Sequence, residues 1–214
     1  MSRAGRIGIA LGVLAAAAAA LGAVRRVSLR WGTDGDETTR SLPGDDILPT
    51  ADLQTTRAIS IGAPRAEVWP WVAQIGQNRA GFYSYDWLEN LVGCDIHSAD
   101  VLMPEKRVQG VGEAVNLHPQ VALEVVAFAD GDHLVLRGGV GPDGRAEGAP
   151  YDFTWAFVLA DGPNGTTRLV VRERYAYLEP WAVALVEPIE LLSFLMSQRM
   201  LRGIRDRAER ASPR

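Results

Sequence analysis

Between Tyr151 and Leu159 the chain reads YDFTWAFVL, with Tyr151, Phe153, Trp155, Phe157 and Leu159 at alternate positions and Asp152 and Thr154 between them. Side chains alternate across a β-strand, so one face of this strand is heavily aromatic. Such a face is too costly to leave in water, and the fold must cover it. A second run, TTRLVVRERYAY, follows an Asn164-Gly165 pair and is predicted to form a hairpin with the first. It puts Leu169, Val171, Glu173, Tyr175 and Tyr177 on one face and Arg168, Val170, Arg172 and Arg174 on the other. Glu173 therefore points with the apolar set.

The cover is legible at the C-terminus. PWAVALVEPIELLSFLMSQRMLRGIRDRAER reads as a long helix, apolar on a wide face upstream and charged at its end, with Pro188 marking a kink or a restart. Phe153, Trp155, Phe157, Val171 and Tyr175 are expected to face Leu192, Leu195, Met196 and Met200. Upstream, QTTRAISI reads as a strand, and Pro64 opens a helix over PRAEVWPWVAQIG that holds Pro70. SYDWLENLVG reads as a second short helix capped by Ser84, with Tyr85, Leu88 and Val92 inward and Asp86 and Glu89 toward solvent. EAVNLH and VALEVVAF read as strands, and Asp130-Gly131 marks another hairpin. GGVGPDGRAEGAPY, rich in glycine and proline, reads as a mobile loop.

The chain has 214 residues, room for one domain of ordinary size with something appended, and 47% hydrophobic residues suffice for a core. Ile7 to Val24, IGIALGVLAAAAAALGAV, carries no charge and as a helix would span about 27 Å, close to a bilayer core. Two readings stand. One is a retained single-pass anchor, favoured by Arg25 and Arg26 directly after the run. The other is a secretory signal removed by cleavage, with Arg3 and Arg6 as its basic region. Arginine counts on the two sides lean toward a domain on the cytoplasmic face. Residues 31–53 hold Asp34, Asp36, Glu37, Asp45, Asp46 and Asp52 against Arg40 alone, with Pro43 and Pro49, and read as an extended acidic tether. The organisation expected is an anchor over 1–30, a tether over 31–53, a folded domain over 54–210 and a disordered tail over 211–214.

A net charge of -4 argues against a nucleic-acid partner, which calls for a basic face. One cysteine, Cys94, excludes an internal disulfide and a cysteine-built zinc site. GGVGPDG follows a strand without opening a helix, so neither NAD nor ATP is implied, and no cofactor or metal is expected.

The order strand, two short helices, antiparallel strands and long C-terminal helix resembles the START-like helix-grip superfamily (SRPBCC), which includes polyketide cyclase/dehydratase-like and birch-pollen-allergen-like proteins. ISIGAPRAEVWPWVAQIG looks like that family's first strand and helix, and the likeness covers about Gln54 to Arg210. AGFYSYDWLENLVGCDIHSAD and VRERYAY look more narrowly like a bacterial subgroup without a settled role. The resemblance implies an α+β helix-grip fold, a curved antiparallel sheet wrapped around the C-terminal helix with a cavity between them for an apolar or amphipathic small molecule. Such folds serve carriers, receptors and cyclases alike, so architecture does not choose among them.

The cavity candidates are Phe153, Trp155, Phe157, Val171, Glu173, Tyr175, Leu192 and Met196, and the mouth candidates are Tyr83, Tyr85, His97 and Arg137. Glu173 on an apolar face would be partly desolvated, the condition for a usable acid or base, but a structural ion pair, for which Arg137 is the candidate partner, or a position near the open end of the barrel is the preferred reading. His97 with Asp95 and Asp100 matches no established zinc spacing and reads as a solvated loop. No catalytic residue is assigned. The function expected is membrane-tethered binding or transfer of a hydrophobic or amphipathic small molecule, such as a lipid, isoprenoid or polyketide-like compound. The alternatives are a cyclase/dehydratase-type enzyme using Glu173, Tyr175 or His97, and a ligand-free protein-interaction module.

Overall fold

Strand β5 (Tyr151–Asp161) pairs with β6 (Thr167–Tyr177) in the register that brings Phe153 opposite Tyr175, Trp155 opposite Glu173 and Phe157 opposite Val171. Asn164 and Gly165 between them take φ of 56° and 75°, the left-handed conformation that an Asn-Gly turn tolerates. With β1 (Leu53–Ile61), β2 (Ala114–His118), β3 (Val121–Ala129) and β4 (His133–Gly138) they form one six-stranded sheet in the order β1-β6-β5-β4-β3-β2. Every neighbouring pair is antiparallel. The computed structural model describes residues 3–139 and 148–211, with side chains from residue 12 onward, residue 14 excepted. The predicted loop after Gly138 and the predicted tail lie largely outside these residues.

Among the described residues four α-helices accompany the sheet: α1 (Arg3–Arg30), α2 (Arg65–Ala73), α3 (Asp86–Asn90) and α4 (Ala182–Ala211). Pro64 is the N-cap of α2, and Pro70 lies inside it, where it forfeits its own backbone bond. α4 runs unbroken through Pro188. Val186, Glu190, Ser197, Leu201, Ile204 and Ala208, spaced by one or two helical turns, form its buried stripe against the inner face of the sheet. Gly203 on α4 lies against Tyr83, where a Cβ would come within 2.7 Å of the tyrosine Cβ. The main core joins α2, α4 and the inner sheet face.

Three expectations are corrected. Residues 31–53 are not an extended tether but a strap folded over the outer face of the sheet. Leu42 and Leu48 are buried there, and Leu42 packs in a second apolar cluster with Ala58, Val135, Ala156, Val158 and Val170. The outward arginines of β6 hold the strap. Arg168 donates to both Glu37 oxygens at 2.7 Å, Arg172 to Asp45 at 2.5 Å and to the Glu37 carbonyl at 2.6 Å, and Arg174 to the Leu48 carbonyl at 3.0 Å. An acidic segment facing a row of guanidinium groups is fixed by charge rather than by pattern.

The short helix also faces the other way. Its first residue follows Tyr85 rather than Ser84, Glu89 is 7% exposed, and Trp87, Leu91 and Val92 are 67%, 72% and 73% exposed. Leu195 on α4, expected inside, is exposed as well. Among the described residues no helix is long and apolar enough to cross a membrane. Side chains of the span expected over residues 7–24 are described from residue 12 onward, residue 14 excepted. Within α1 the described side chains up to residue 24 are exposed, and docking on the domain begins at Arg25 and Ser28.

Candidate functional site

A cavity of 360 Å³ lies between the inner sheet face and α4, within the size range of small-molecule sites. β5 and β6 supply Tyr151, Phe153, Trp155, Glu173 and Tyr175; α4 supplies Ile189, Leu192, Ser193, Met196, Ser197 and Met200; the segment around α3 supplies Phe82, Ser84, Glu89, Cys94 and Ile96; and β2 supplies Leu117. The lining is mostly apolar because strand alternation delivers the aromatic set of β5 to this side. Its rings form a continuous wall. Phe82 stands 5.9 Å from Trp155, Phe153 stands 4.6 Å from Tyr175, and Tyr175 stands 5.7 Å from Tyr151.

Glu173 enters the cavity but spends its oxygens on the protein. Oε1 accepts from Arg57 at 3.1 Å and from Ser197 at 3.3 Å, Oε2 accepts from Thr55 at 3.2 Å, and the Ser193 hydroxyl lies within 3.3 Å of both. Its partner is Arg57 of β1, not Arg137. Arg57 is fully buried and also donates to Glu190 at 2.8 Å and to the Ser28 carbonyl at 2.9 Å. Glu190 in turn accepts from Arg25 at 2.6 Å and Ser28 at 3.1 Å. A buried charge left without its partner costs several kcal/mol, on the order of 3–5, so this chain of pairs fixes β1, β6, α4 and the last turn of α1 together.

Two polar atoms of the lining have no such partner. Glu89 Oε2 and Trp155 Nε1 are buried without a hydrogen bond. Burial, and after it the charge of Asp86, pushes the Glu89 carboxyl up to about 7. The Tyr175 hydroxyl is held well above its usual range, chiefly by burial and then by Glu173, so it stays protonated. The Cys94 thiol is raised by burial and by Glu89. The wall thus offers one acceptor, the Trp155 indole donor and neutral hydroxyl and thiol groups to whatever enters.

Of the residues singled out from sequence, Phe153, Trp155, Glu173, Tyr175, Leu192 and Met196 line this cavity. Phe157 and Val171 are buried in the core rather than in the lining. The mouth candidates do not assemble. Tyr83 is buried, accepting from Gln74 at 2.9 Å and donating to the Trp71 carbonyl at 3.2 Å. Tyr85 is exposed, and His97 is an exposed side chain 3.1 Å from Asp95. Arg137 lies on the outer face with Asp152 at 2.6 Å. Glu89 was missed; spacing assigns it to the solvent side together with Asp86, because the face built on Tyr85, Leu88 and Val92 is expected to point inward. Among the described residues no group of His, Cys, Asp and Glu could hold a metal ion.

The sheet, the long C-terminal helix on its inner face and the cavity between them define a helix-grip-like α+β protein. Solved bacterial structures are similar to it. A hypothetical protein of Helicobacter pylori superposes with a TM-score of 0.52 at 13% identity, covering 82% of this chain and 99% of its own. A Chromobacterium violaceum protein gives 0.46 at 13% identity over 73% of this chain and 96% of its own, and a Mesorhizobium loti protein 0.44 at 12% over 75% and 100%. At such identities the first of these likenesses speaks to the fold alone. No protein-family model matches the chain, and no curated protein matches it in sequence.

Proposed function

We propose that the protein binds or transfers an apolar or amphipathic small molecule, held between the sheet and α4, as START-like helix-grip proteins do. The observation that carries this reading is the cavity itself: 360 Å³, walled by aromatic rings, with buried polar atoms that lack protein partners. A well-packed core leaves no such volume. Membrane tethering belongs to the same proposal. It is supported by the apolar run of residues 7–24 and by the exposed apolar side chains of α1, because a helix apolar on all sides calls for lipid or protein around it. The strap leaves no slack between the two parts, since the C-terminal end of α1 is fixed to α4 by Arg25 and Ser28.

Native mass spectrometry with organic extraction, on protein purified from its own host, tests the container. A copurified compound is expected, and Met196→Trp, which fills the cavity, should lose it. Protein that comes out empty in both forms would overturn the reading. An acid/base enzyme is the second reading, and it rests on Glu89 in place of Glu173 and His97, because a buried carboxyl near neutrality is suited to proton transfer. Turnover of the copurified compound, abolished by Glu89→Gln, would establish it.

A further inference from the structure

The cavity wall also carries information on the head group of its occupant, an inference that rests on the container reading. Among the described residues no arginine, lysine or histidine lines the cavity. Its ionisable acids are Glu173, whose charge Arg57 meets, and Glu89, which is 7% exposed with one oxygen unpartnered. What faces Glu89 adds no positive charge. Asp86 precedes it on α3 and is held by the Ser98 amide and hydroxyl at 2.7 and 2.6 Å, and Cys94 follows it.

We propose that the cavity takes an amphiphilic amine, an apolar body whose protonated head pairs with Glu89 beside the aromatic wall. A cationic head gains a charge-assisted hydrogen bond from the carboxylate, and the negative faces of Phe82, Trp155 and Tyr175 attract it further. A carboxylate or phosphate head would meet like charge at Glu89 and no cation in the described lining. An alcohol would satisfy the bare oxygen without neutralising it. The apolar body lies along Ile189, Leu192, Met196 and Met200 of α4.

The test is calorimetric titration of delipidated full-length protein with decylamine, decanol and decanoate below their aggregation thresholds, at about pH 8, where an alkylamine is protonated and a carboxyl titrating near neutrality is ionised. Decylamine is expected to bind at least about tenfold more tightly than decanol, and decanoate more weakly than either. Glu89→Gln, which removes a charge that has no partner and keeps the shape of the side chain, should bring decylamine down to the affinity of decanol. Equal binding of decylamine and decanol, tight binding of decanoate, or an amine preference that survives Glu89→Gln would each overturn the assignment and leave the container standing. Failure of all three compounds to bind would overturn both.

Discussion

Glu89 sits where burial opposes its ionisation, and the sign of the resulting pH dependence follows from linkage. Its folded value of about 7 lies above the unfolded 4.5, so the native state holds a proton that the unfolded state has released between those values. Stability attached to this group is whole below the unfolded value, falls as pH rises, and is lost once pH passes the folded one. The full penalty is about 3 kcal/mol. Urea unfolding should therefore show Glu89→Gln more stable than the parent at pH 8 by that order, with the difference vanishing near pH 4. Parallel curves for the two proteins would mean that Glu89 is ionised at ordinary cost. The same scale shows what a sequence can convey about a site. Alternation alone turned Glu173 inward, because its neighbours Val171 and Tyr175 set the face. Its partner was not legible. Arg57 lies on β1, which pairs with β6 across more than a hundred residues of chain, whereas Arg137 is nearer in sequence but has the parity of Val135, on the outer face.

Elements read correctly where period and turn chemistry agreed, as in the β5–β6 hairpin and in α4. They misled where length or composition alone decided. α3 has five residues, too few for periodicity to fix its orientation, so Tyr85 and Val92, expected inside from spacing, are exposed and the Glu89 carboxylate is buried. The segment 31–53 has the composition of a linker, yet its acidic groups complement outward arginines on β6. Arg172 is the center of that contact, 2% exposed and bonded to Asp45, Thr56 and the carbonyls of Glu37 and Arg40. Arg172→Met removes the cation and leaves Asp45 to its weaker contact with Arg174 at 3.6 Å. The expected result is a loss of about 3 kcal/mol in urea unfolding, with faster tryptic cleavage at Arg40 under native conditions. Cleavage at the parental rate would show that the strap is held by its buried leucines rather than by β6.

Over the whole molecule, stability and occupancy are coupled because the cavity is bounded by every part of the fold that matters to it. The inner strands, α4 and the segment around α3 meet at its wall, and the Arg57 network behind Glu173 extends to the last turn of α1. A ligand that binds only this assembled state stabilises it by mass action, by about 2.7 kcal/mol when free ligand is a hundredfold above its dissociation constant. For a chain of this size that corresponds to a rise in melting temperature of roughly 5–10 °C. Returning the extracted compound to delipidated protein should produce such a shift, whereas Met196→Trp, with its cavity filled, should melt at one temperature with or without the compound. A shift of the same size in the filled variant would place the binding surface elsewhere on the molecule, and no shift in the parent would mean that the compound does not distinguish the folded chain from the unfolded one.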